Sequence, residues 1–420
     1  MAKKDDKNYA PPPDKAITQR ALLLAAVSEG ATRIAHPSAC ADTAAAIACL
    51  KKLGVRMVLS KKAVTVKGAG LRGLKKPGSP LNAGGSATTM RLLAGLLAGQ
   101  EFDSVITGDG SLLKRPMERV TGPLAAMDAR ITLRGGRPPL MITGSRLKGA
   151  NHRLEIASAQ VKSALLLAGL YAAGPTSITE RFRTRDHTER LLKYLGAQVS
   201  ADGLNIYLRP GNLLARSIRV PGDISAAAPF IIAACLSPGF KLTITNVGLN
   251  SRRIGLINAL KEMGARISVR QLAAAPEPYG DIVIRGSNLR GIRIRPDEVP
   301  AMIDELPLLA LAAARARGIT VISGAGELRY KESDRLKATA ALFDALGLKI
   351  EIGHDKITIK GPQLISGGGT INTLNDHRIA MAAAVGSLLA AKPVKTNDPA
   401  CVNKSYPSFF RDFKRIFHPK

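Results

Sequence analysis

Residues 224–245 read ISAAAPFIIAACLSPGFKLTIT, an apolar run, a Pro-Gly stop and then alternating strand-forming residues. Ile224 to Leu236 carries no charge on any face, so a helix here must be buried all round. Gly239 stands where a helix end needs a residue that accepts positive φ. Lys241 to Thr245 then favours an extended strand. The same unit recurs in both directions. It appears as Ile17 to Gly30 before Ala31–Ile34, Ala87 to Gly99 before Phe102–Thr107, and Ser158 to Gly174 before Pro175–Thr179. It returns as Ile303 to Gly318 before Ile319–Ile322, and as His377 to Ala391 before Pro393–Asn397, with Lys392 in the glycine position. The spacing of about 70 residues marks repeated supersecondary units.

A more polar second helix follows in each copy and often closes on Leu-Gly or Met-Gly, as in Thr43 to Gly54, Thr188 to Gly196, Ile254 to Gly264 and Arg335 to Gly347. Alternating strands come next, such as Arg266–Arg270 and Lys349–Ile352. Each unit therefore reads β-α-β-α-β-β. Six of them divide into two halves near Val220-Pro221-Gly222, each with three buried helices inside and sheets outside. Small and polar residues precede the buried helices: Asp14-Lys15, Gly84-Gly85-Ser86, Ser158-Ala159-Gln160, Asp223-Ile224-Ser225, Asp304-Glu305 and Asn375-Asp376-His377. Free N–H groups and the helix dipole make converging N-termini an anion site, whereas taken singly these residues are N-caps.

Composition narrows the function. At 420 residues, two domains are expected. No apolar run approaches the roughly 18–20 residues of a membrane span, so no membrane partner is expected. Met1 to Pro13 reads as a short polar arm rather than a signal peptide, which implies the cytoplasm. Cys40, Cys49, Cys235 and Cys401 lie far apart and read as reduced structural thiols, with no metal site. The net charge of +29 fits either a nucleic-acid binder or a site for polyanionic small molecules. Lys and Arg are spread among 32 acids, without the interleaved aromatics of a nucleic-acid surface, so no specific nucleic acid is expected.

Several segments resemble one family. DGSLLKRPMERV (109–120), ASAQVKSALLLAGL (157–170), TRDHTER (184–190), Ile303-Asp304-Glu305, YKESDRL (330–336) and DHRIAM (376–381) are similar, in order, to the 3-phosphoshikimate 1-carboxyvinyltransferases, or EPSP synthases. The similarity runs from about Pro12 to Arg415, and the Ser-Ala-Gln form at 158–160 resembles the glyphosate-tolerant bacterial subgroup. It implies a two-domain inside-out α/β barrel of six βαβαββ repeats, three per domain. The domains would be 14–221, and 1–13 with 222–420, with the active site in the cleft between them. It implies enolpyruvyl transfer from phosphoenolpyruvate to the 5-hydroxyl of shikimate 3-phosphate through a tetrahedral intermediate, by a monomer with no metal or cofactor.

Both substrates are polyanions, which calls for many cations, and Arg best forks phosphate and carboxylate. By resemblance, Lys15 lies between the two ligands. Ala16, Arg20, Ser158, Ala159, Gln160, Arg185, Asp304 and Lys331 would hold shikimate 3-phosphate. Ala87, Arg115, Gln160, Arg335, Arg378 and Lys404 would hold phosphoenolpyruvate. The chemistry needs an acid and a base. Asp304 matches the family's base for the 5-hydroxyl and Glu332 its proton donor to the methylene carbon. Cations beside Glu332 make its carboxylate form the chemical default.

Three departures stand out. Lys15 is followed by Ala16 where Ser is usual, with Pro13 in place of Gly. Gly85 replaces an Asn. Ala87 replaces a Gly, adding a methyl group to a crowded pocket. The related UDP-N-acetylglucosamine enolpyruvyl transferases carry a reactive Cys in a mobile loop, and Gly108 to Pro116 has none. A paralogue acting on another hydroxylated acceptor is the nearer rival. A basic repeat protein that binds nucleic acid would explain the charge but not Asp304 and Glu332.

Overall fold

A computed structural model describes residues 7–418; the first six and last two residues of the outer domain segments expected above lie outside the described residues. The helices are α1 Lys15–Ala26, α2 Ala41–Lys52, α3 Ala87–Ala98, α4 Glu118–Ala125, α5 Ala159–Gly169 and α6 His187–Tyr194. They continue as α7 Ile224–Leu236, α8 Gly255–Glu262, α9 Leu306–Arg315, α10 Arg335–Leu346, α11 His377–Leu389 and α12 Phe409–Phe417. Among the described residues no helix is long and apolar enough to cross a membrane.

Two compact units emerge. The N-terminal unit is Pro13–Val220 with Ala275–Glu277, and the C-terminal unit is Pro221–Ala274 and Pro278 onward with the residues up to Pro12. Each has its own core. In α7 every residue from Ile224 to Cys235 is buried, and α7, α9 and α11 pack on one another. In the N-terminal unit α3 packs on both α1 and α5. Interior helices with no exposed face explain why these segments are apolar all round.

The sheets share one order. Leu81–Asn82 lies parallel to Ser104–Thr107, which pairs antiparallel with Arg137–Thr143, which pairs antiparallel with Arg130–Arg134. Four further four-stranded sheets repeat this pattern. Burial alternates along the strands, as in Ala31–Ala35, so each sheet covers the helices on one face and meets solvent on the other.

Three expectations about the organisation of the chain need correction. The polar arm is not wholly an arm: Lys7–Tyr9 forms a strand parallel to Lys241–Gly248. Tyr9 is buried there, its ring 4.0 Å from that of Phe230 and its hydroxyl 2.8 Å from that of Tyr406. The sixth repeat stops short. Thr370–Ile371 and Lys395–Thr396 flank α11, and α12 follows, with no further hairpin among the described residues. The reason is the stripe Phe409, Phe413 and Ile416, buried at helical spacing, with Phe409 and Phe413 edge-on to Phe230. Ala275–Glu277, from the C-terminal half of the sequence, belongs to the N-terminal unit. There the Glu277 carboxylate lies 2.8 Å from His187 Nδ1, both buried.

The helix-end glycines divide into two kinds. Gly30, Gly239 and Gly318 take the left-handed conformation, but Gly99 has φ −90° and Gly174 is not left-handed either. At Gly99 a Cβ would come within 2.5 Å of Tyr171, so close approach rather than backbone handedness excludes a side chain. The four cysteines are free and buried.

Candidate active site

In each unit the N-terminal ends of the buried helices come together. In the N-terminal unit Gln19 of α1 donates to Ser86 Oγ (2.6 Å) and Thr89 Oγ1 (2.8 Å) at the start of α3. Gln160 of α5 donates to Thr88 Oγ1 at 2.9 Å. Most of the polar residues that precede these helices are caps. Asp14 accepts from the Ala16 and Ile17 amides, Ser86 from Thr89, Ser158 from Val161, Asp223 from Ser225 and Asp376 from Arg378. Side-chain oxygens thus already satisfy part of the termini of α1, α3, α5, α7 and α11, whereas α9 has no side-chain cap, and side-chain cations add positive charge beside them.

The N-terminal unit gathers Lys15, Ala16, Arg20, Ala87, Gln160 and their neighbours. Lys15 Nζ lies 2.9 Å from Asp42 Oδ2. Arg20 is buried, donating to Thr188 Oγ1 (2.9 Å), Ser163 Oγ (3.2 Å) and the Ala16 carbonyl (3.0 Å). Burial, then the charge of Arg185, lowers its pKa to about 10. Two cations close enough to oppose each other's charge favour a bound anion. Arg185 is half-buried in the loop before α6, and Arg115 is half-buried after the 3₁₀ turn Leu112–Lys114. Ser158 caps α5 and Ala159 opens it. The Gln160 side-chain oxygen Oε1 accepts from Arg91 at 2.6 Å. Ala87, the first residue of α3, is 4% exposed.

The C-terminal unit centres on Arg335, fully buried at the start of α10. Its guanidinium reaches three carboxylates: Asp376 through Nε (2.8 Å), Asp304 (2.9 Å) and Glu332. Burial opposes the charge, but Asp376, Glu332 and Asp304 outweigh it and hold the pKa well above the ordinary arginine value. Asp304 lies in the 3₁₀ turn Ile303–Glu305 that leads into α9, while Glu332 and the half-buried Lys331 lie just before α10. Arg378 sits 3.8 Å from Glu305, which also accepts from Ser225 Oγ. Lys404 donates to Asn375 Oδ1 at 2.8 Å. The two carboxylates expected to act as base and acid therefore share one guanidinium. Arg335, read from sequence as a ligand for phosphoenolpyruvate, is 1% exposed and engaged by its own chain.

Sequence reasoning missed the residues that hold these groups: Asp42, Arg91, Glu180 and, inside a quoted motif, Lys162 and Ser163. Lys162 lies 3.1 Å from Glu180 and 2.6 Å from Glu189, all three buried. A lysine within the apolar run AQVKSALLLAG was the available signal, since buried charges occur paired. Glu180 also receives Thr184, and Thr188 holds Arg20, so this ion cluster fixes the loop that carries Arg185. Burial raises the pKa of Glu189 and Lys162 opposes that rise. In Lys162→Met both glutamates lose their cation, and a stability loss of about 3–5 kcal/mol is expected in denaturant titration. A raised folded-state carboxyl pKa means the folded protein binds more protons. The variant's stability is therefore expected to fall as pH rises above the ordinary glutamate range, and a flat profile would contradict the assignment.

The enolpyruvyl transferase NikO of Streptomyces tendae, 17% identical, superimposes with a TM-score of 0.77 over 98% of this chain and 94% of its own, which shows a shared fold. An EPSP synthase structure from Acinetobacter baumannii is 42% identical, with a TM-score of 0.87 over 98% of this chain and 95% of that one. The family model for EPSP synthase (3-phosphoshikimate 1-carboxyvinyltransferase) matches residues 6–413. The 3-phosphoshikimate 1-carboxyvinyltransferases of Acidithiobacillus ferrooxidans and Alkaliphilus metalliredigens are 48% and 43% identical, covering 95% and 96% of this chain and 92% and 96% of their own. The chain belongs to the EPSP synthase family of enzymes.

Proposed function

We propose that this enzyme transfers the enolpyruvyl group of phosphoenolpyruvate to the 5-hydroxyl of shikimate 3-phosphate, releasing phosphate, in the cytoplasm and as a monomer. The observation that carries this reading is the Arg335 cluster, which keeps Asp304 and Glu332 on one guanidinium beside Arg378 and Lys404. Arg20, Arg185, Ser158, Ala159, Gln160 and Lys331 receive shikimate 3-phosphate, with Ala16 beside them. Lys15 bridges the two ligands. Arg115, Arg378, Lys404, Gln160 and the Ala87 turn receive phosphoenolpyruvate, and Arg335 joins them through the carboxylates it orients. Arg378 Nε has no hydrogen-bond partner among the described residues, which suits a group that awaits an anion.

Asp304 removes the 5-hydroxyl proton as oxygen attacks C2 of phosphoenolpyruvate. Glu332 takes up a proton from solvent and passes it to the methylene carbon, giving the tetrahedral intermediate. Loss of a proton from that carbon and departure of phosphate restore the enol ether. Cations around the leaving phosphate stabilise the charge that develops there. Phosphate release measured with phosphoenolpyruvate, with and without shikimate 3-phosphate, tests the assignment. Release that ignores shikimate 3-phosphate but responds to another hydroxylated acceptor would favour the paralogue that the Ala16 and Gly85 departures suggest.

The Ala87 methyl supports membership of the glyphosate-tolerant subgroup, because a buried first-turn methyl narrows the phosphoenolpyruvate pocket more for a longer inhibitor than for the substrate. Glyphosate is expected to inhibit poorly and Ala87→Gly to restore sensitivity. A micromolar inhibition constant, competitive against phosphoenolpyruvate, would contradict this.

A further inference from the structure

The charge of +29 is not evenly spread. From Thr43 to Gln100 the chain holds ten Lys or Arg and no Asp or Glu. Two strands of this stretch, Arg56–Leu59 and Ala63–Lys67, join one sheet in the spatial order Ile218–Arg219, Ala31–Ala35, Ala63–Lys67, Arg56–Leu59. Thr32, Ile34, Val64 and Val66 point inward and are buried. Arg33, Lys67 and Arg56 point outward and are exposed, and Lys61 and Lys62 are exposed in the turn between the last two strands.

Arg56 stands directly opposite Lys67 across the antiparallel pair, with Arg33 on the neighbouring row of the same face. Like charges directly opposed on a sheet destabilise it, so the fold holds this pair at a cost. None of Arg33, Arg56, Lys61, Lys62 and Lys67 has an ion pair with an acid among the described residues. The two acids nearest the strand Ala31–Ala35 in sequence are engaged elsewhere: Glu29 accepts from Asn212 and Asp42 holds Lys15. His36, just past the strand Ala31–Ala35, reports the resulting field. Burial and then the charges of Arg219, Arg33 and Lys62 lower its pKa below the ordinary histidine value.

We propose that this sheet face is a sequence-independent docking surface for the phosphate backbone of a nucleic-acid duplex. Charge complementarity names the partner: a flat array of unpaired cations meets a regular array of phosphates, and each contact releases condensed counterions. The face carries no aromatic residue, and stacking platforms are what single strands require. Val58, 71% exposed, is the apolar side chain amid these cations, and Leu59 lies on the strand edge, too little apolar area to anchor the face in a lipid surface. No base-reading device accompanies the cations, so binding follows charge rather than sequence.

The test is fluorescence anisotropy of a short mixed-sequence duplex, in separate DNA and RNA forms, with the full chain and with Arg56→Gln/Lys61→Gln/Lys62→Gln/Lys67→Gln. None of these four residues belongs to the substrate machinery, so phosphate release from phosphoenolpyruvate should be unchanged, which also confirms a folded variant. Five phosphate contacts predict a slope of log K against log salt of about −4.5, an affinity loss of about 500-fold between 50 and 200 mM. The variant should show a slope of about −1 and bind at least about tenfold more weakly at the lower salt. Either duplex behaving this way supports the proposal. It is overturned if the variant keeps the full slope, or if saturating phosphoenolpyruvate displaces the duplex, which would place binding at the substrate site. It is also overturned if vesicles of anionic phospholipid, and not duplexes, show the dependence on these four residues.

Discussion

Asp304→Ala is expected to lower kcat by about 10²- to 10⁴-fold with little change in the Michaelis constants, the size of effect that loss of a positioned general base produces. The structure explains why the fold should survive. Arg335 keeps Asp376 and Glu332 when Asp304 is gone, and Asp304 lies in a short 3₁₀ turn rather than inside α9. Glu332→Ala should lower kcat over a similar range, because its side chain is 32% exposed and its packing role is small. The two variants differ in which proton transfer they lose. In the reading above, Asp304→Ala fails at attack by the hydroxyl, whereas Glu332→Ala fails at protonation of the methylene carbon. Exchange of solvent deuterium into the methylene group should therefore be abolished in the second. Near-normal turnover in either variant removes that residue from the mechanism.

Arg335→Met should destabilise the protein as strongly as Lys162→Met. Asp376 is fully buried and would keep only Ser333 Oγ and the Arg378 amide as partners, while Asp304 and Glu332 would lose their common cation. Breaking a buried pair by removing one member costs about 3–5 kcal/mol, because the remaining charge has no compensation. For a unit of this size that corresponds to a fall in Tm of roughly 10 °C. Catalysis should fall as well, since the base and the acid would no longer be held together. A variant that melts within about 1 °C of the parent would show that this ion network does not hold the C-terminal unit. Rescue of stability by Asp376→Asn in the same chain would show that the stranded carboxylate is the cause.

Much of the fold was legible because burial on all sides leaves an unambiguous signal. Ile224–Leu236, Ala87–Ala98 and His377–Leu389 carry almost no charge, and each is an interior helix. Second helices that end in glycine were legible for the same local reason, and Gly347 closes α10 in the left-handed conformation. Lys7–Tyr9 was not legible. Three residues, two of them polar, show no period, and only pairing with Lys241–Gly248 makes them a strand. Ala275–Glu277 was hidden likewise, since membership of the other unit depends on a buried contact with His187 far along the chain.

The sequence by itself determined the repeat, the interior helices, the motifs that carry the family and which cations and carboxylates those motifs contain. These are properties of local order, fixed by periodicity and by residues close together in the chain. Only the tertiary structure decided which charges meet. Arg335 finds Asp304 and Asp376 at separations of 31 and 41 residues, and Lys162 finds Glu180 and Glu189 across a loop. Arg56 meets Lys67 only through strand register. An ion pair depends on distance in space and on exclusion of water, and neither is set until the chain has folded.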